Sequence, residues 1–250
     1  MKPFVHLHVH SHYSLLDGLG TPKDIVKLAK NQGAPAIGLT DHGYMYGAIE
    51  FYKAAKDQQI NPIIGCEVYV APNSRFDRTP GSESKPFHLI LLATDFEGYK
   101  NLMYLVSYAN LEGFYYKPRI DFDLLQKHHR GIIALSGCLA SELSTAILEE
   151  DEKKQLLVIE KYRSTFGAEN YFFELQHHPL IPEQDIVNQK LIELSKKTGV
   201  PLVATQDSHY LHKEDANSHD ILLCIQTQTN IHAHNRMKFN GDFSMLPAEE

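Results

Sequence analysis

The stretch HLHVHSHYSLLDG, His6 to Gly18, decides how the rest of the chain is read. Histidine stands at every second position, as His6, His8, His10 and His12, and Asp17 closes the run beside a glycine. In an extended strand, side chains at i and i+2 share a face. A strand over Phe4–Val9 therefore sets alternate imidazoles on one side, with His8 and His10 at its end. Imidazoles turned into an apolar core each need a partner. Neutral imidazole is also the commonest metal ligand, and carboxylates join it when hard divalent ions are held. The stretch reads as a first strand that carries ligand-type side chains at its end.

Outward from it, apolar runs alternate with helical periodicity. Thr21-Pro22 has the form of a helix start, and Ile25, Leu28 and Ala29 mark the inner face of that helix until Gly33. Further strands are expected at 36–39, 63–70, 87–93, 132–135, 171–175 and 202–205. Helical stripes lie between most of them, for example Leu102, Leu105, Val106 and Ala109, or Val187, Leu191 and Leu194. The Pro-, Ser- and Gly-rich segment 72–86 reads as a long loop. Seven strands alternating with helices predict an α/β fold with parallel βαβ crossovers, close in count to a closed (β/α) barrel. The tail after residue 230 reads as irregular, so the barrel is expected over 3–230.

Composition narrows the class. The 250 residues are 43% hydrophobic and 22% charged, which suits one globular unit. A net charge of −7 argues against a broad electrostatic footprint for nucleic acid, so a polyanion would be held at a local positive site. Three widely spaced cysteines predict no disulfide framework and fit a reducing cytoplasm. No apolar run is long enough to span a membrane, and no signal peptide precedes His6.

In (β/α) barrels the working residues come from the C-terminal ends of the strands. His8, His10, His42, Glu67, Cys138, Asp207 and His209 fall at such ends. His88 departs, lying at the start of its strand. Imidazole, carboxylate and thiolate together suit divalent ions, and a carboxylate can bridge two of them. Asp17, Glu67, Asp207 and a Cys138 thiolate carry four negative charges against six on three divalent ions. A loaded pocket would thus be locally positive and acidify a water. That chemistry is phosphoester hydrolysis.

These residues, in order and spacing, resemble the PHP (polymerase and histidinol phosphatase) family. Within it they resemble the N-terminal PHP domain of bacterial replicative DNA polymerase III alpha subunits. Phe4-Val5-His6-Leu7, Tyr13-Ser14-Leu15-Leu16-Asp17-Gly18, Gly113 to Arg119 and Asn240-Gly241-Asp242 extend the likeness over essentially the whole chain. The resemblance implies a distorted (β/α)7 barrel of one domain, holding up to three divalent ions, Zn, Mn or Fe. The implied ligands are His8, His10, Asp17, His42, Glu67, His88, Cys138, Asp207 and His209. Glu67 would bridge, with His8, His10 and Asp207 around one ion, His88 and Cys138 around the next, and Asp17, His42 and His209 around the third. Asp17, Glu67, Asp207 and His209 form the expected catalytic set.

The implied activity is a 3′–5′ exonuclease on DNA. Its implied partners are a DNA 3′ end, the rest of the polymerase subunit and a proofreading exonuclease. Two other readings fit the same residues: a non-catalytic module that stabilises the polymerase and docks a proofreading exonuclease, and a small-molecule phosphatase of the histidinol-phosphate kind. Lys117 and Arg119 are candidate phosphate contacts. Tyr13, Tyr115, Tyr116 and Tyr210 are candidates for base stacking. His6 and His12 are expected to flank the ligands, Cys66 to pack apolarly, His177-His178 to lie at a surface or pocket rim, and His219 to be solvated.

Overall fold

Thr21 caps the first helix by accepting the amide of Asp24, and Pro22 follows where its missing N–H costs nothing. The helices are α1 (Pro22–Asn31), α2 (Ala48–Asp57), α3 (Phe96–Leu111), α4 (Phe122–Lys127), α5 (Glu142–Leu148), α6 (Glu152–Phe166), α7 (Pro182–Thr198) and α8 (Ala216–Gln226). Asp95, Asp121, Ser141 and Asp151 cap α3, α4, α5 and α6 in the same way as Thr21. The computed structural model describes residues 4–80 and 85–249. Pro3 of the expected barrel, 81–84 of the expected loop and Glu250 of the tail lie outside them.

The strands are β1 (Ala36–Leu39), β2 (Asn61–Val70), β3 (Phe87–Ala93), β4 (Arg119–Ile120), β5 (Ile132–Leu135), β6 (Tyr171–Gln176) and β7 (Leu202–Thr205). They form one sheet in the order β1-β2-β3-β5-β6-β7, with β4 paired to β2 beyond the end of β1. Pairing is parallel except at β3, which runs antiparallel to both β2 and β5. This corrects the expectation of an all-parallel sheet. No helix lies between β2 and β3 among the described residues, and a parallel return requires a crossover. The short β4 is a second correction, since 113–119 read as loop.

Phe4–Val9 is not a regular strand. The amide of Val9 donates to the Thr40 hydroxyl instead of a backbone carbonyl, which interrupts the ladder on that side. The segment still bridges both edges of the sheet. His6 and Val9 carbonyls accept from Gly38 and Thr40 beside β1, while His8 and His10 exchange bonds with Ser208 beyond β7. Gly38 allows this approach, because a Cβ there would lie 3.0 Å from the Leu7 backbone. The curled sheet and this bridge make the distorted barrel.

Alternation sorts the side chains into layers. Cys66, Val68 and Val70 of β2 and Leu89 and Leu91 of β3 face outward into the core shared with α3, α5, α6 and α7. Ile90, Leu92 and Leu135 face inward and form an apolar floor with Leu7, Ile63 and Val203. Glu67 and His88 stand on that same inner face, above the floor. The tail is irregular, yet it belongs to the fold and does not stop at residue 230. Phe243 and Met245 are buried, the carbonyl of Phe243 accepts from His209, and Met245 packs with α1 and α2.

Candidate metal centre

All nine ligand-type side chains converge above the apolar floor, at one end of the barrel. His42 follows β1, Glu67 lies in β2, Cys138 follows β5, and Asp207 and His209 follow β7. His88 joins them because β3 is antiparallel: its first turns of strand lie at the end where its neighbours finish, with His88 opposite Tyr69. The position that departed from the barrel rule is thereby explained.

Glu67 is the hub. Its Oε2 lies 2.7 Å from His42 Nδ1, 3.3 Å from His10 Nε2 and 3.6 Å from His8 Nε2. Its Oε1 lies 2.8 Å from His88 Nδ1 and 3.8 Å from the Cys138 sulfur. Asp207 Oδ1 sits 3.0 Å from His8 Nε2 and 3.3 Å from His10 Nε2. Asp17 Oδ2 is 3.0 Å from His42 Nε2, and Asp17 Oδ1 is 3.9 Å from His209 Nε2. Three groupings bring ligand atoms within 4.8 Å of one another: His8, His10 and Asp207; His42, Glu67 and His88; and His10, His42 and His209. The first is one of the groups implied by the family resemblance. In the others His42 shares its neighbours between two groups.

Supporting residues fix how the imidazoles point, and most were not singled out from the sequence. Glu174, buried on the inner face of β6, lies 2.7 Å from His8 Nδ1. It also accepts from Thr205, Gln176 and the Gly137 amide. A proton on Nδ1 leaves His8 Nε2 free to ligate. His10 Nδ1 pairs with the Ser14 hydroxyl at 3.0 Å, and Asp41 accepts from Ser14 and Ser11 beneath it. The sequence signal for Glu174 is an acid in the apolar run Tyr171-Phe172-Phe173-Glu174-Leu175. His219 is buried instead of solvated, 2.7 Å from the Asp17 carbonyl. Its signal was the i, i+4 spacing to buried Leu223 on α8.

Electrostatics show what this packing demands. Burial opposes charge on every group here, yet His8 is raised well above the usual histidine value because Asp207, Glu174 and Glu67 surround it. His42 is likewise raised to about 10, against burial, by Glu67 and Asp17. His10 falls to about 3 through burial and the neighbouring His42 and His209. Asp17, Glu67 and Asp207 stay far below the ordinary carboxylate range, as the imidazoles overcome their burial. Burial and nearby carboxylates push the Cys138 thiol up. Even so, Asp17 Oδ1, His42 Nδ1, Glu67 Oε2 and Asp207 Oδ1 are buried without a hydrogen bond of proper geometry. Lone pairs brought within 2.7 to 3.9 Å yet not hydrogen-bonded suit a shared cation. The donor set therefore fits divalent ions, which would replace the protons on His8 and His42.

The substrate candidates separate. Arg119 is buried, and its guanidinium donates to the carbonyls of Gly113, Arg75 and Asp77. Buried, with Nε and Nη2 committed to backbone carbonyls, it is a strut for its loop, which corrects its reading as a phosphate contact. Lys117 is exposed, with its ammonium 5.3 Å above the Tyr69 ring. A cleft of about 180 Å³ opens onto Asp17 and His42 between Lys117, Tyr116, Phe114 and Leu15. Tyr210 is buried and bonded to the Phe243 amide, and Tyr13 donates to Glu50, so neither lines this cleft. His178 is buried against Phe243 and not at the surface. His6 is buried with Nε2 2.9 Å from the Leu246 carbonyl, so it ties the first segment to the tail.

A curled α/β sheet with a histidine–carboxylate cluster at one end defines the class, that of barrels with side chains that could hold divalent cations. The match to known proteins agrees: the PHP domain model covers residues 6–178, and the chain belongs to the PHP domain family. It is 48% identical over 248 residues to DNA polymerase III subunit alpha of Treponema pallidum, covering 99% of this chain and 21% of that protein. It is 47% identical over 243 residues to the subunit of the same name from Thermus aquaticus, covering 96% of this chain and 20% of that protein. The chain spans about a fifth of the length of the curated relatives it matches. A Bifidobacterium adolescentis structure, provisionally described as a metal-dependent phosphoesterase, shares the fold at a TM-score of 0.53. It is 14% identical, with 83% of this chain and 89% of that one covered. No described helix is long and apolar enough to cross a membrane.

Proposed function

We propose that this chain is a metal-dependent phosphoesterase domain of a bacterial replicative polymerase alpha subunit, working in the cytoplasm as a 3′–5′ exonuclease on DNA. The observation that carries the reading is the convergence of the nine ligand-type side chains at one end of the barrel, five of which (His8, His10, His42, His88 and Cys138) lie within 3.8 Å of an oxygen of Glu67. Up to three ions, Zn, Mn or Fe, would be held: one by His8, His10 and Asp207, one by His88 and Cys138, and one by Asp17, His42 and His209, with Glu67 bridging the first two. Bound divalent ions supply Lewis acidity to a phosphoryl oxygen and acidify a water.

The exposure of the side chains supports one edge as the way in for substrate. Glu67, His8 and His10 are wholly enclosed, whereas the side chains of Asp17, His42 and His88 keep 14 to 21% of their surface open. The terminal phosphodiester therefore approaches along the Asp17–His42 edge, where the cleft opens. Water adds across the last phosphodiester, breaking the bond from phosphorus to the 3′ oxygen. A nucleoside 5′-monophosphate leaves, and the shortened strand keeps a 3′ hydroxyl. His209 Nδ1 lies 2.9 Å from the Asp207 carbonyl, which leaves Nε2, 3.9 Å from Asp17, for the third ion. The rest of the alpha subunit, which the names of the relatives support, and a proofreading exonuclease are the proposed macromolecular partners.

Single-stranded DNA labelled at either end, incubated with chelator-stripped protein to which Zn or Mn is returned, tests the activity. Stepwise shortening from the 3′ end is expected. Asp17→Ala and His88→Ala should each abolish it while circular dichroism stays unchanged. Unaltered cleavage in both variants would overturn the site assignment. Absence of cleavage by metal-loaded parent would leave the centre as a structural clamp.

A further inference from the structure

The mouth of the metal cleft is apolar where a hydrolytic site needs only water. Tyr116 is 82% exposed, Leu15 65% and Phe114 49%, all lining the cleft that reaches Asp17 and His42. Single exposed apolar residues are ordinary, but a group rimming one cleft calls for a ligand.

The loop that presents Phe114 and Tyr116 is rigidly built. Tyr115 and Lys117 pair across a tight turn, with the Tyr115 amide donating to the Lys117 carbonyl at 3.1 Å. Tyr116 at its apex has a φ of 58°, a left-handed conformation that a bulky side chain adopts at a cost. Arg119 anchors the base of the loop by its three carbonyl contacts, and its guanidinium lies 5.2 Å from the Tyr115 ring. Gly113 is required there, since a Cβ would fall 1.8 Å from the Arg119 carbonyl oxygen. The loop thus holds a ring out in solvent beside the cleft. Lys117 adds one cation, and no ion pair to it exists among the described residues.

We propose that Tyr116, with Phe114 and Leu15, is a stacking platform for the terminal base of an unpaired nucleic-acid strand, and that Lys117 contacts the adjoining phosphate. The platform rests on the proposed cleavage of a phosphodiester at the metal centre and names the substrate form: a single-stranded end, one base at a time. The cleft of about 180 Å³ is small beside the roughly 300–1,000 Å³ of pockets that enclose a whole small molecule. It has room for a phosphate at its base, with the base lying across its rim. Every base has a π face, so such a platform is tolerant of sequence.

The test is fluorescence anisotropy on the full, Mn-loaded chain. The probe is a 5′-labelled oligothymidylate whose last linkage is a phosphorothioate, beside the same strand lacking only its 3′-terminal base. Tyr116→Ala should weaken the complete strand on the order of tenfold and leave the abasic strand unchanged. Lys117→Ala should weaken both, with a smaller salt dependence than the parent. Equal Kd values for parent and Tyr116→Ala on the complete strand, or equal losses on both strands, would overturn the platform. So would failure of the parent to bind either strand. Cleavage of an unmodified strand, measured alongside, separates the two readings. Binding differences without cleavage sink the exonuclease and keep the platform; cleavage indifferent to Tyr116 sinks the platform alone.

Discussion

His6 illustrates how a single buried group sets a condition on the whole chain. Burial lowers it from the usual 6.5 to about 4, only partly offset by its bond to the Leu246 carbonyl. Folded protein therefore keeps it neutral over a range where unfolded chain takes up a proton. Its contribution to stability is complete above pH 6.5 and is lost as pH falls toward 4, by about 3 kcal/mol in all. His6→Gln retains a donor for Leu246 but does not titrate. Urea unfolding of chelator-treated proteins should show the parent losing that much more stability than the variant between pH 7 and 4; parallel pH dependences would contradict the account. Glu174 makes the complementary point, since it is a buried carboxylate that touches no proposed ion, yet through His8 Nδ1 it decides which nitrogen faces the centre.

Among the elements, β3 and the tail carry the lessons. The bounds of β3 were legible in Phe87–Ala93, because an apolar run between turn residues marks a strand whichever way it points. Its direction was not, since periodicity is the same in both directions. The absence of a helical pattern in 72–86 was the available sign, and it also accounts for His88. The tail was illegible for a different reason: Phe243 and Met245 lie in no periodic pattern, and their burial depends on surfaces supplied by Tyr210, α1 and α2. His219 was misread on a polar helix because its carbonyl partner, Asp17, lies 202 residues away. Arg119 was misread because basic loops resemble phosphate sites until their donors are counted. The nine ligand-type residues could be picked out because imidazole, carboxylate and thiolate stand at or beside apolar runs that read as strands. As Met245 is 3% exposed and packs with Ile25 and Phe51, Met245→Ala should cost about 2–5 kcal/mol by denaturant titration. A change under about half a kcal/mol, the range of surface substitutions, would return the tail to the periphery.

At the scale of the whole molecule, the metal centre and the barrel are one device. The ligands come from the N-terminal bridge, β2, β3 and the segments after β1, β5 and β7, so any ion held there ties the two edges of the sheet together. Loaded with divalent ions, the same convergence would give a net-negative protein a local positive site for a phosphate. The claim on which everything else depends is that these nine residues form a single multi-ion centre hinged on Glu67. Metal content per chain, measured by plasma mass spectrometry after loading with Zn or Mn and removal of loosely held ions, tests it most directly. The parent should retain more than one divalent ion, and Glu67→Gln should lose at least the two that share its carboxylate while remaining folded. A parent that retains no ion, or a folded Glu67→Gln that retains as many as the parent, would contradict it.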